Sequence, residues 1–140
     1  MNIKMRVMIY SKKGQMKTYA DAIGQATGCL VSDIPPAYPC EKEKLVLIGF
    51  SAGAKADDIL TRFCSLLSPD RALNVALYID GKPDSEAERQ VISTLKAAGT
   101  NVLPDTYYPK CGMFGKAISI ENRQAIIDWV RSLEAKLTQK

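Results

Sequence analysis

A chain of 140 residues, 46% hydrophobic and 24% charged, is long enough to bury a full core without metal or disulfide staples, and its composition is not that of a disordered or fibrous protein. It contains no histidine, which excludes every mechanism needing an imidazole base; its four cysteines lie far apart with no CxxC spacing, which argues against structural zinc. A formal charge of +4, with no arginine-rich tract and no interleaved aromatics, reads as a solvated surface and not as a nucleic-acid interface.

The opening MNIKMRVMIY places Lys4 and Arg6 inside a short apolar run, so no signal peptide is expected. No stretch approaches the roughly 20 apolar residues that span a bilayer. Cys29, Cys40, Cys64 and Cys111 are accordingly expected as reduced thiols in a cytoplasm.

In chain order, MRVMIY (5–10) is a short, β-rich apolar run and predicts a buried strand. Met16, Tyr19, Ala20 and Ile23 then recur at i, i+3, i+4, i+7, predicting a helix that Gly28 ends with a left-handed cap. CLVSDI (29–34) is a weaker strand. PPAYPCEKE (35–43) is proline-rich and too short for a long helix, which predicts a loop or a single turn before the strand KLVLIGF (44–50). Ile59, Leu60, Phe63, Cys64 and Leu67 make a second helical stripe, followed by Pro69, and LNVALYI (73–79) is a further buried strand. Ser85 to Glu88 form a capping box, in which the hydroxyl and the carboxylate satisfy each other's backbone donors, at the head of a helix ending at Gly99. TNVLPDTYY (100–108) is interrupted by Pro104 and reads as an edge strand. The last helix follows Ser119 as N-cap and carries Ile126, Trp129, Val130, Leu133 and Leu137, with Trp129 as a core anchor.

Strands alternating with helices mean right-handed crossovers and a parallel sheet covered on both faces, an α/β fold built as one domain over residues 1–140. In such sheets ligands bind at the carboxyl ends of the strands. That rule selects four loops: 11–15, 51–56, 80–84 and 108–118. They hold Lys12, Lys13, Lys55, Lys82, Lys110 and Lys116 against Asp80 and Asp84 as the carboxylates, an edge expected to attract anions. Cys111, beside Lys110, is a candidate reactive thiol because nearby positive charge favours the thiolate.

Neither GxGxxG nor GxxxxGK[ST] follows any strand, and the acidic pair of a phosphate-receiver domain is missing. The pattern resembles instead the flavodoxin family along nearly the whole chain. The first loop of that family usually reads Ser/Thr-x-Thr-Gly-Asn-Thr, followed by an alanine and an isoleucine on the helix. Here Ser11-Lys12-Lys13-Gly14-Gln15-Met16 stands in its place, with Ala20 and Ile23 at the matching distances. The strand ending IGF, the segment ALYIDGKPDSEAERQVISTLKAAGTNVL and the closing GMFGKAISIENRQAIIDWVRSL are similar to the family's later strands, loops and last helix.

The resemblance implies a single-domain three-layer sandwich with a five-stranded parallel sheet in the order 2-1-3-4-5. It implies FMN as cofactor, with electron transfer or reduction of a small substrate, and a redox partner protein. By position, Ser11, Lys12, Lys13, Gly14, Gln15 and Met16 would hold the phosphate; Gly14 permits the tight turn and the following helix offers its positive end. Ser51, Ala52, Gly53, Asp80 and Gly81 would flank the ring, with Tyr108 or Phe114 covering it. Two family threonines are Lys13 and Met16 here, and Gly53 stands where the family presents a stacking aromatic. Two further readings therefore stay open: a module that has lost FMN and binds a protein partner or another phosphorylated anion, and an FMN-independent enzyme acting on an anionic substrate. Neither a nucleic acid nor a membrane is an expected partner.

Overall fold

Nine elements form from these runs in the computed structural model, which describes residues 3–53, 56–112 and 115–138. They are β1 (Met5–Tyr10), α1 (Gly14–Thr27), β2 (Leu30–Asp33), β3 (Leu45–Ser51), α2 (Asp58–Ser65), β4 (Asn74–Asp80), α3 (Glu86–Ala98), β5 (Asn101–Val102) and α4 (Ile120–Thr138). The strands pair in the order β2-β1-β3-β4-β5, and every pairing is parallel. This is the three-layer α/β arrangement and strand order that the sequence implied.

The pleat divides the strand residues between two cores. Met8, Val46, Ile48, Phe50, Leu77 and Ile79 pack with Leu60, Phe63, Cys64, Val91 and Leu95 from α2 and α3. Val7, Ile9, Leu45, Leu47, Ala76 and Tyr78 pack with Met16, Tyr19, Ile23, Ile126 and Val130 from α1 and α4. Gly49 marks a close approach in the sheet itself, because a Cβ there would fall 2.1 Å from the ring of Tyr78, its register partner on β4.

The caps follow the sequence with one change. Gly28 (φ 75°) and Gly99 (φ 105°) close α1 and α3 in the left-handed region, as expected. Ser119 Oγ accepts from Asn122 N at 3.0 Å at the head of α4. Ser85 Oγ accepts from Glu88 N at 3.1 Å, but the Glu88 carboxylate accepts from Asp84 N, one residue before the expected donor. Asp84 sits at φ 63°, which swings its N–H toward the carboxylate.

Three expectations shift. Ile59 does not join the buried stripe of α2; it is 48% exposed, while Leu60, Phe63, Cys64 and Leu67 are buried. The edge strand shrinks to two residues before Pro104, after which the chain rejoins β4 only where Tyr107 N donates to Leu77 O and Tyr107 O accepts from Ile79 N. Trp129 is half-buried at that edge, stacked on Tyr107 with ring centroids 5.4 Å apart and donating Nε1–H to Asp105 O. Among the described residues no helix is long and apolar enough to cross a membrane.

Candidate functional site

Register brings the ends of the central strands together: Tyr10 lies beside Phe50, and Ser51 beside Asp80. The loops leaving β1, β3 and β4 therefore start side by side, and a cavity of about 580 Å³ opens among the first two of them and the end of β2. That volume lies within the roughly 300–1,000 Å³ usual for small-molecule and cofactor sites. Ile34, Phe50, Leu60 and Ala87 give it an apolar wall toward α2 and α3, while Ser11, Lys12 and Lys13 form its polar end beside α1. Ser51 and Gly53 line it from the second loop.

Polar groups at this edge form a directed chain. Lys13 N–H donates to Ser11 Oγ at 3.1 Å, leaving the Ser11 hydroxyl to donate to Ser51 Oγ at 2.7 Å; Ser51 in turn donates to Asp80 Oδ2 at 3.2 Å. The Lys13 ammonium reaches the same carboxylate oxygen at 2.7 Å, and that bond holds its pKa above the usual lysine value. Every donor in this chain ends on Asp80, a carboxylate only 14% exposed. The first loop thus carries its cation and hydroxyls already arranged around a negative group.

Lys13 is also the N-cap of α1, in extended backbone and with no side-chain cap, and the first turn holds no acidic residue. The positive end of the helix dipole is left without a protein carboxylate in that turn. Gly14, Gln15 and Met16 turn away from the cavity toward the last loop and the core. The Met16 side chain is fully buried and its N–H donates to Lys13 O at 3.2 Å, so both are engaged within the protein. Gln15 Oε1 accepts from Gly112 N, and the Thr18 hydroxyl is shared between Gly14 O at 3.0 Å and Lys116 O at 2.6 Å. A Cβ on Gly14 would come within 2.6 Å of Lys116 Cγ, so the missing side chain is what lets the last loop lie against this turn. Ala52 and Gly81 also serve loop packing: Ala52 N donates to Asp80 O at 2.9 Å, and a Cβ on Gly81 would meet Ala52 Cβ at 2.7 Å.

The proposed ring-covering aromatics fare differently. Tyr108 Oη donates to the Glu88 carboxylate, 2.8 and 2.9 Å from its two oxygens, which ties the side chain to the first turn of α3 outside the cavity lining. Burial, then the Glu88 bond, pushes its phenol up to about 12. Phe114 and Lys55 lie outside the described residues. Among the described residues two aromatics do line the cavity: Phe50 on its apolar wall, and Tyr10, half-buried, whose phenol pKa is raised chiefly by hydrogen bonding to Asp57. Its place as the last residue of the first strand was the available signal, since strand-end side chains border the ligand edge.

Two further residues went unseen. Asp33, ending β2, and Asp57, whose carboxylate caps α2 by accepting Ile59 N at 2.8 Å, both line the cavity. The edge is consequently less cationic than the lysine count implied, because Asp33, Asp57 and Asp80 face Lys12 and Lys13 there. Cys111 is also corrected: burial first, then the Asp80 charge, pushes its thiol up to about 11, and the opposing effect of Lys13 is smaller. That shift disfavours the thiolate, opposite to the expectation drawn from Lys110. Among the described residues no group of three or more His, Cys, Asp or Glu could hold a metal ion.

The fold is flavodoxin-like. "Structure of a flavodoxin from the domain Archaea" describes a protein similar to this chain at a TM-score of 0.65 and 14% identity, covering 98% of this chain and 100% of that one. A flavodoxin of Streptococcus pneumoniae TIGR4 is similar at 0.61 and 11% identity, over 94% and 99% of the two chains. Rubredoxin oxygen:oxidoreductase from Desulfovibrio gigas is similar at 0.55 and 13%, over 97% of this chain but 37% of that one. No family model matches the sequence, and no curated protein matches it. Identities this low establish architecture and leave the ligand to be argued from the site.

Proposed function

We propose that the cavity binds FMN and that the chain transfers electrons, or reduces a small substrate, through it. The observation that carries this reading is the division of one cavity into a polar end, with Ser11, Lys12 and Lys13 beside an uncapped helix terminus, and an apolar wall of Ile34, Phe50, Leu60 and Ala87. A flat ring carrying a phosphorylated chain has those two halves. Ser11, the first-loop backbone and the two lysines would hold the phosphate; Tyr10 and the apolar wall would take the ring; Asp33 and Asp57 offer acceptors to the hydroxyls between. Bound FMN supplies the electron-carrying chemistry, and the protein supplies position and charge. A redox partner protein would deliver or collect the electrons at the same edge.

A second reading is favoured by one feature of the aromatics. Tyr108 is held by Glu88 and Tyr107 by Trp129, so among the described residues only the strand-end aromatics Tyr10 and Phe50 line the cavity, and no loop aromatic is placed to cover a ring. The same polar end would then take a phosphorylated anion other than FMN, or dock a partner through one.

Titration with FMN and with riboflavin, followed by flavin fluorescence and thermal shift, tests both. The expected result is micromolar FMN binding with riboflavin weaker by about tenfold, since it lacks the group that makes charge-assisted bonds. FMN that fails to bind at high micromolar concentration overturns the first reading, and binding of inorganic pyrophosphate in the same assay would then favour the second.

A further inference from the structure

The crossover from β2 to β3 is a proline-rich segment without a helix, where the other crossovers of the sheet carry helices. A segment has a narrower footprint than a helix, and beside it a second cavity of about 470 Å³ remains, on the outer side of α2. One wall is Pro35, Pro36 and Pro39; the other is Ile59, Phe63 and Leu66 of α2 and the turn after it. Among the described residues no acidic one lines it, and the two charged ones that do are Arg62 and Arg71. It shares no lining residue with the cavity at the carboxyl edge.

Three observations bear on what it takes. The proline wall is fixed: the buried Arg6 of β1 donates to Pro39 O and to Tyr38 O, each at 2.9 Å, so the segment is pinned to the sheet and the space is preformed. The wall of α2 stays exposed, with Leu66 at 66% and Ile59 at 48%, a local excess of uncovered apolar surface. Neither guanidinium is paired with a carboxylate among the described residues, and Arg71 Nη1 is held to the cavity wall by Cys40 O at 3.3 Å. An apolar hollow with two unpaired guanidiniums and no acid complements a molecule with an apolar body and an anionic head.

We propose that this cavity is a binding site for a small amphipathic carboxylate, with an aliphatic or aromatic body against Pro36, Phe63 and Leu66 and its carboxylate between Arg62 and Arg71. The volume falls within the usual range for small-ligand sites, about 300–1,000 Å³, which favours such a molecule over a peptide helix. Guanidinium is the natural partner of a carboxylate because its planar fork matches both oxygens.

Decanoate and its uncharged counterpart decanol are suitable probes, followed on the full chain by amide chemical shifts. The expected result is decanoate binding with shifts concentrated in 35–40 and 59–71, tighter than decanol by about tenfold. The double variant Arg62→Gln, Arg71→Gln should erase that difference and keep the decanol affinity, which separates lost charge recognition from a damaged fold. Equal affinity of the two probes, shifts centred elsewhere, or no binding below the micelle-forming concentration would overturn the proposal. Shifts at the same residues on raising the concentration of protein alone would overturn it too, by showing that a second copy covers the hollow.

Discussion

The Lys13 ammonium lies 2.7 Å from the Asp80 carboxylate, so the cation of the first loop is engaged by an internal anion at the mouth of the candidate site. An incoming phosphate must compete with Asp80 for that ammonium and for the hydroxyl chain behind it. Lys13 is half exposed, so solvent screens the pair and its worth is of order 1 kcal/mol or less. Asp80→Asn removes the competitor and keeps an acceptor for Ser51. The expected outcome is tighter FMN binding by about threefold to tenfold, read by fluorescence titration at fixed ionic strength. Lys13→Glu should weaken it by about tenfold or more, and riboflavin affinity should move little in either variant.

Tyr108 gives a prediction that separates packing from ligand contact. Its phenol is pushed up to about 12 by burial and by donation to Glu88. Glu88→Gln removes the charge but keeps the acceptor, so the phenol should titrate closer to its ordinary value of 10.0, followed by ultraviolet absorbance between neutral and alkaline pH. Tyr108→Phe should leave flavin affinity unchanged, since Glu88 and not the cavity holds the ring.

Gly49 tests the core on the α1 and α4 side. A Cβ there would sit 2.1 Å from the Tyr78 ring, which is fully buried and cannot swing away. Gly49→Ala should cost about 3 kcal/mol in urea unfolding, the upper part of the overpacking range. Adding Tyr78→Leu should recover part of the loss, because the obstructing ring is gone while apolar volume remains.

The architecture was legible because continuous apolar runs and helical periodicity act locally. Val7 to Ile9 declare a strand buried on both faces and Tyr19 and Ile23 a buried helical stripe within a few residues, and Gly28 and Gly99 declare the helix ends. The site depended on relations that no local pattern carries. Met16 matched both a phosphate-loop position and the buried stripe of α1, and its burial follows the stripe; the other site residues are set by tertiary neighbours. Asp57 looked like a helix cap and is one, but register also sets it on the cavity against Tyr10. Lys110 stood next to Cys111 in sequence, whereas the groups that reach the thiol are Asp80 and Lys13, brought there by the sheet order. Charge neighbours across loops follow from topology, and a count of lysines per loop cannot supply them.

Alkaline stability follows from the thiols. Their ordinary pKa is 9.0, and burial pushes Cys64 up to about 12 and Cys40 and Cys111 up to about 11. The folded state therefore holds these protons more tightly than the unfolded state does. Because the folded values are raised, the stability they contribute is fully present below pH 9 and is lost as pH rises through 11 to 12. A fully buried thiol such as Cys64 gives up as much as about 1.4 kcal/mol per pH unit within that window. Urea midpoints should hold steady from neutral pH to about 9 and then fall steeply. Cys64→Ala should lower the midpoint at neutral pH through the small cavity it leaves, and should make the alkaline slope shallower. A variant as steep as the parent above pH 9 would place the alkaline loss in other groups, of which Tyr19, pushed up to about 12 mainly by burial, is the next to examine.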